Sequence, residues 1–301
     1  MKILITGGTG FVGTHLTTRL IREGHEVTIL TRSIKGSEKK VPGLSYLQGD
    51  PTIKGTWQEA IREHGAIINL AGASIFSRWT EEYKKTLRDS RLQTTRHLVE
   101  GIDEKAEKKM AFFSASAVGY YGFHGDEQLT EESSPGEDFL ARLAFYWEQE
   151  ALRAADRGAR VVITRIGVVL AKQGGALGQM IPLFKRYVGG PIGVGKQWCS
   201  WIHIDDLVEG FFFLIKNEAI EGAFNLCSPN PIRNEDFARA LGKVLRRPSF
   251  LSAPGFMIRL ILGEFGTVIL KGQRVIPKRL LDHGFKFQYP DIKQALQSLI
   301  S

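Results

Sequence analysis

The chain has 301 residues, 43% hydrophobic and 24% charged, with 40 Lys and Arg against 32 Asp and Glu for a net charge of +8. That is an ordinary composition for a soluble globular protein of one or two domains with a sizeable core. Cys199 and Cys227 offer neither a disulfide framework nor a metal-ligand spacing, so no metal is expected and a reducing cytoplasm is the simplest setting.

The basic residues are scattered, apart from pairs such as Lys39-Lys40 and Arg246-Arg247, with no aromatic-interleaved basic run. The charge therefore reads as solvated surface plus a few groups facing an anionic cofactor, and no nucleic-acid or membrane partner is expected. The chain opens directly into an apolar strand, so no leader is expected. The apolar stretch 256–270 is broken by Arg259 and Glu264 and is too short to span a bilayer.

In chain order, strands are predicted at 2–6, 26–31, 44–48, 66–70, 111–114 and 160–165. Helices fall between them at 12–23, 56–64, 80–103 and 138–157. The alternation predicts an α/β fold, a Rossmann-type doubly wound parallel sheet with right-handed crossovers. After Gly167 the rhythm loosens into glycine-rich, substrate-side loops with a short helix at 177–187, then helices at 205–216 and 234–245. We expect residues 1–246 to form the dinucleotide-binding domain and 247–301 a small, mostly helical C-terminal module.

The run Gly7-Gly8-Thr9-Gly10-Phe11-Val12-Gly13 sits at the first strand-to-helix turn. There, backbone N–H groups and the positive helix end face a pyrophosphate. Gly7 and Gly10 let the turn tighten and the ligand approach, and Gly13 lets the helix lie close on the sheet. A site for NAD usually carries an acid at the end of the second strand. Here that strand ends Thr31-Arg32-Ser33, and Arg32 suits a 2′-phosphate, with Thr31 and Ser33 adding hydroxyls. The expected cofactor is therefore NADP(H). Asp50, ending the third strand, either bonds the adenine edge or caps a turn.

Three further segments stand out: Asn69-Leu70-Ala71-Gly72, the run Ser114-Ala115-Ser116-Ala117-Val118-Gly119-Tyr120-Tyr121-Gly122, and Ser200-Trp201-Ile202-His203-Ile204-Asp205-Asp206. With the glycine turn, they resemble an extended short-chain dehydrogenase/reductase of the nucleoside-diphosphate-sugar epimerase group. The tail from Gly272 to Phe287 is similar to the distinctive C-terminal module of its atypical members. The resemblance implies an oxidoreductase or epimerase-like activity on a small molecule, such as a sugar nucleotide or carbonyl compound. It implies cofactor contacts at Gly7, Thr9, Gly10, Phe11, Val12, Arg32, Leu70, Ala71 and Gly72. It also places Ser116 where such enzymes keep a serine that hydrogen-bonds the reacting oxygen; a strand-end hydroxyl satisfied by backbone is the other reading.

The chain departs from that pattern at Tyr-x-x-x-Lys. Only Tyr289 has a lysine four residues on, and it lies in the tail. Leu140 and Ala144 align with the two positions on the helix after the fifth strand. Tyr120 and Tyr121 are the substitute candidates for acid/base work, or else simple aromatic packing; Arg78, Arg91 and Arg165 are candidate cations. His203 with Asp205 is either an acid/base pair or a structural histidine before a helix capped by Asp205. Trp79, Trp198 and Trp201 line a ligand cleft or pack a core; Trp201 and His203 are taken as substrate-side candidates. The pattern also admits a different class of function, an NADP(H)-binding sensor with little catalysis.

Overall fold

The structure is a computed structural model that describes residues 1–34, 41–105, 109–172 and 174–300. The Lys39-Lys40 pair lies outside them. Seven parallel strands form the central sheet: β1 Lys2–Thr6, β2 Glu26–Thr31, β3 Leu44–Gln48, β4 Ala66–Asn69, β5 Ala111–Ala117, β6 Arg160–Ile166 and β7 Gly222–Leu226. Their order is β7-β6-β5-β4-β1-β2-β3. The winding direction reverses between β1 and β4, the point where such sheets bind ligands. The expected doubly wound parallel sheet is present, with β5 running to Ala117 and β7 added at the edge.

Alternation along each strand feeds two cores. Ile3 and Ile5 of β1 pack with Leu16 and Leu20 of helix α1 (Phe11–Arg22) and with Phe211 of α5 (Ile204–Lys216). Leu4, between them, faces Ile67 and Phe112 on the opposite layer. That layer also holds Leu98 of α2 (Glu81–Glu100) and Ala151 of α3 (Phe139–Leu152). A strand buried on both faces reads as a continuous apolar run, as Ile3 to Ile5 does.

Beyond β6 come α4 (Gly175–Lys185) and α6 (Asn234–Leu245), and then a C-terminal group: α7 (Gly255–Leu262), α8 (Glu264–Leu270), α9 (Lys278–Asp282) and α10 (Ile292–Ile300). The last two helices do not stand apart. Leu280 of α9 and Ala295, Leu296 and Leu299 of α10 belong to the same core as Ile3 and Ile5. Arg274–Val275 adds a short parallel pairing with Gln128–Leu129. The α7–α8 pair instead covers the loop after β4, where Phe265 packs on Trp79, with ring centroids 5.5 Å apart. None of the described helices is long and apolar enough to cross a membrane.

Leu296 is fully buried, so Leu296→Ala is expected to lower the unfolding free energy by about 2–5 kcal/mol in a urea titration. A loss confined to α10, leaving the main transition unmoved, would show that the module folds separately.

Candidate functional site

The first pole of the site is the turn after β1. Gly7 has φ of 71°, and a Cβ there would lie 2.8 Å from the Leu70 carbonyl carbon. A Cβ on Gly13 would lie 2.3 Å from the Gly7 oxygen, so both positions need glycine for the fold itself. Gly10 differs: a Cβ there meets only the Gly7 oxygen, at 3.1 Å, and its outer side is open. Gly10 N–H bonds the Gly7 carbonyl at 2.9 Å. Helix α1 starts at Phe11 with no side-chain cap and no acid in its first turn, which leaves its first N–H groups and positive end for an anion.

A cleft of about 720 Å³ leads from Gly8, Thr9, Thr14 and Thr18 to Thr31, Arg32, Ser33 and Tyr46. Arg32 is exposed at its far end. Asp50 accepts bonds from the Thr52 hydroxyl at 2.7 Å and amide at 2.9 Å. Burial opposes its ionisation, but these bonds and the Arg32 charge hold its carboxyl below the usual range. Asp50 thus caps its own turn. These features form a cradle that a dinucleotide with a 2′-phosphate fits: open glycine, uncapped helix, cationic far end.

The second pole lies at the ends of β5, β6 and β7. The register aligns Ser116, Arg165 and Asn225 in one row across the three strands. Glu148, from α3, reaches into that row. Ser116 Oγ donates to Glu148 Oε1 at 2.6 Å. Arg165 grips the same carboxylate in a fork, with Nε to Oε1 at 2.9 Å and Nη2 to Oε2 at 2.8 Å. Its third nitrogen, Nη1, donates to the Tyr121 hydroxyl at 2.9 Å, and that hydroxyl donates to Asn225 Oδ1 at 2.7 Å. The Arg165 guanidinium also lies 3.5 Å from the centre of the Tyr120 ring.

Both ion-pair side chains are nearly sealed, 5% and 6% exposed. Burial works against the Arg165 charge, but the Glu148 bonds dominate and hold its proton more firmly than usual. Burial raises both Tyr121 and Tyr120, with the Arg165 charge opposing it. Neither phenol ionises near neutral pH. Desolvation thus outweighs the neighbouring cation at both phenols.

The two poles are joined through α2 and α3. Thr6 donates to Asn69 at 2.7 Å, Asn69 to Thr95 at 2.8 Å, and the Trp147 indole to Thr95 at 2.8 Å. Arg91 packs on the Trp147 ring at 5.3 Å, and its guanidinium carbon would lie 3.0 Å from a Cβ on Gly72. Arg91 donates to the Leu87 and Ala73 carbonyls, and burial pushes it down to about 10. Leu140, at the head of α3, sits beside Gly119, and Ala144 is buried.

Trp201 and His203 lie elsewhere. Trp201 is fully buried in the larger core and donates to the Asn230 carbonyl at 3.0 Å, so it cannot line a substrate cleft. The segment Trp201–His203 pairs with Val168–Leu170, which takes it inward. His203 is buried too; its Nδ1 accepts from the Asp205 amide at 3.0 Å and its Nε2 meets Ser298 Oγ at 3.1 Å. His203 itself caps α5, rather than Asp205. Trp79 is buried under Phe265, and Trp198 lies between Arg233 and Arg274. Glu148 and Asn225 are functional candidates that reading the sequence missed. Among the described residues no His, Cys, Asp and Glu cluster could hold a metal.

A doubly wound sheet with a glycine turn at its switch point and a polar row at the ends of β5 to β7 defines a dinucleotide-binding protein of the Rossmann class. The chain belongs to the NAD dependent epimerase/dehydratase family, whose model matches residues 3–227; residues 253–299 match a domain of unknown function, DUF1731. It is 41% identical over 303 residues to the epimerase family protein YfhF of Bacillus subtilis, covering 100% of this chain and 98% of that one. It is 40% identical over 302 residues to the chloroplastic SDR39U1 homolog of Arabidopsis thaliana, covering 100% of this chain and 87% of that protein. The crystal structure of human SDR39U1 isoform 2 with NADPH superposes with a TM-score of 0.86 at 34% identity, over 99% of both chains. A UDP-glucuronic acid 4-epimerase from Bacillus cereus shares the fold, with a TM-score of 0.79 at 15% identity over 99% of this chain and 98% of that one.

Glu148→Gln is expected to destabilise the protein by about 3–5 kcal/mol in urea unfolding, because it strands a buried guanidinium. Replacing both Glu148 and Arg165 by methionine recovers most of that loss. A single variant within about 1 kcal/mol of the parent contradicts the sealed pair.

Proposed function

We propose that the protein is an NADP(H)-dependent oxidoreductase of the extended short-chain type, with Ser116 handling the substrate oxygen. The cofactor is held by the turn from Gly7 to Gly13, with Thr9, Phe11 and Val12 at its helix end, by Arg32 at the 2′-phosphate, and by Leu70, Ala71 and Gly72 beneath. The open side of Gly10, the uncapped start of α1 and the exposed Arg32 support this. The NADPH in the human SDR39U1 structure supports it independently. When bound, the nicotinamide supplies hydride transfer.

The observation that carries the chemistry is the polarity of the Ser116 hydroxyl. Its one hydrogen is given to Glu148, so its lone pairs are left to accept. A substrate hydroxyl that reaches Ser116 Oγ can donate to it and is oriented there, while the Glu148 carboxylate stays held by Arg165. Tyr121, fixed between Arg165 and Asn225, orients the row, and Tyr120 flanks it. The substrate is a small alcohol or carbonyl compound, sugar nucleotides included.

A second reading is favoured by the same inward orientation. Ser116 and Tyr121 both spend their hydrogens on protein acceptors, as a cofactor-binding protein with little catalysis would also have them.

Calorimetric titration is expected to show NADPH binding tighter than NADH, with Arg32→Ala weakening NADPH by roughly tenfold to a hundredfold and leaving NADH unchanged. Gly10→Val is expected to keep the parent melting temperature yet lose NADPH. Equal affinities for the two cofactors overturn the assignment. Against a panel of carbonyl compounds and sugar nucleotides with NADPH, Ser116→Ala is expected to cost about 10²–10⁴-fold in turnover. Turnover that survives the change rejects the Ser116 role, and a parent that binds NADPH but turns over nothing selects the second reading.

A further inference from the structure

Two segments distant in sequence, 183–194 and 246–262, come together beside the C-terminal helices. Ile192 pairs with Ala253 in an isolated bridge. Gly193 N–H bonds the Ala253 carbonyl at 2.8 Å, and Ala253 N–H bonds the Pro191 carbonyl at 2.9 Å. The Arg247 guanidinium lies 4.9 Å from the centre of the Tyr187 ring.

The surface they make is apolar to an unusual degree. More than half of the exposed large apolar side chains among the described residues fall in these two segments. On α7, Phe256, Met257, Leu260 and Ile261 occupy one continuous face, while Ile258 and Leu262 turn inward. Beside them, Val194 and Phe250 are each 79% exposed, and Leu251 and Tyr187 are exposed as well. Neither segment contains an acidic residue, but together they carry Lys185, Arg186, Arg246, Arg247 and Arg259. Lys185, Arg186, Arg246 and Arg259 are exposed. Of the basic pairs in the sequence, Arg246-Arg247 therefore lies in the same two segments as this apolar face.

We propose that this face docks on an anionic lipid surface, with α7 lying at the headgroup boundary and the exposed Lys185, Arg186, Arg246 and Arg259 facing lipid phosphates. Large apolar side chains at helical spacing, with cations in the same two segments, match the chemistry of an interfacial segment. Side chains this exposed are knobs rather than a socket, and the acyl boundary accepts knobs without a preformed groove. A second copy is disfavoured by charge: a twofold contact through this face would set four exposed cations against four. The contact lies on the membrane and does not span it.

The test is co-sedimentation of the full chain with phosphatidylcholine vesicles, with and without phosphatidylglycerol, at low and high salt. The expected result is binding to the anionic vesicles that weakens with salt. Phe256→Ser with Leu260→Ser is expected to weaken it by about tenfold or more, at an unchanged melting temperature. Arg246→Gln and Arg259→Gln are each expected to weaken it roughly fivefold. A parent chain that stays in the supernatant at low salt overturns the proposal. So does a self-associated species in sedimentation velocity that Phe256→Ser with Leu260→Ser dissolves, which makes the face a contact between copies. Stronger retention on immobilised polyglutamate than on vesicles, undiminished by that same change, assigns the face to an acidic protein and also overturns it.

Discussion

The Glu148–Arg165 pair is the constraint on which the catalytic pole depends. Two charges removed from water are tolerated only when their geometry is good and their other hydrogen-bonding capacity is met. Both conditions hold: the fork is bidentate, and Ser116 and Tyr121 take up the remaining oxygen and nitrogen sites. The pair therefore fixes four side chains from β5, β6, α3 and the loop after β5 in one arrangement. None of the four can rotate freely without stranding a charge.

Helix α3 carries both consequences in adjacent residues. Trp147 faces the cofactor pole, bonding Thr95 and supporting Arg91 behind Gly72. Glu148 faces the reactive pole. Leu140, near the start of the same helix, is covered by the α7–α8 pair through the Phe265 cluster.

Much of this fold could be read from residue pattern because its strands are buried on both faces and its glycine turn is local. β1, β2 and β3 have the bounds predicted from the sequence, 2–6, 26–31 and 44–48. β7 was not foreseen, since Gly222-Ala223-Phe224-Asn225-Leu226 opens on glycine and contains a buried asparagine, and so lacks a strand's signature. Glu148 did leave a trace: a lone carboxylate on the helix face that also buries Ala141, Ala144 and Ala151. Its partner could not be read, because the pairing of Ser116 with Arg165 is set by strand register across forty-nine positions of chain. Trp201 misleads for the complementary reason: an aromatic residue before a helix looks like a site residue until a long-range pairing with Val168–Leu170 buries it.

The central claim is that the cradle after β1 and the row at Ser116 serve one ligand. A crystal structure of the protein with NADPH tests this most directly. The account predicts the 2′-phosphate within hydrogen-bond distance of Arg32 and the nicotinamide ring facing Ser116 and Tyr120. A nicotinamide directed away from β5, with Ser116 still covered by protein, would contradict it.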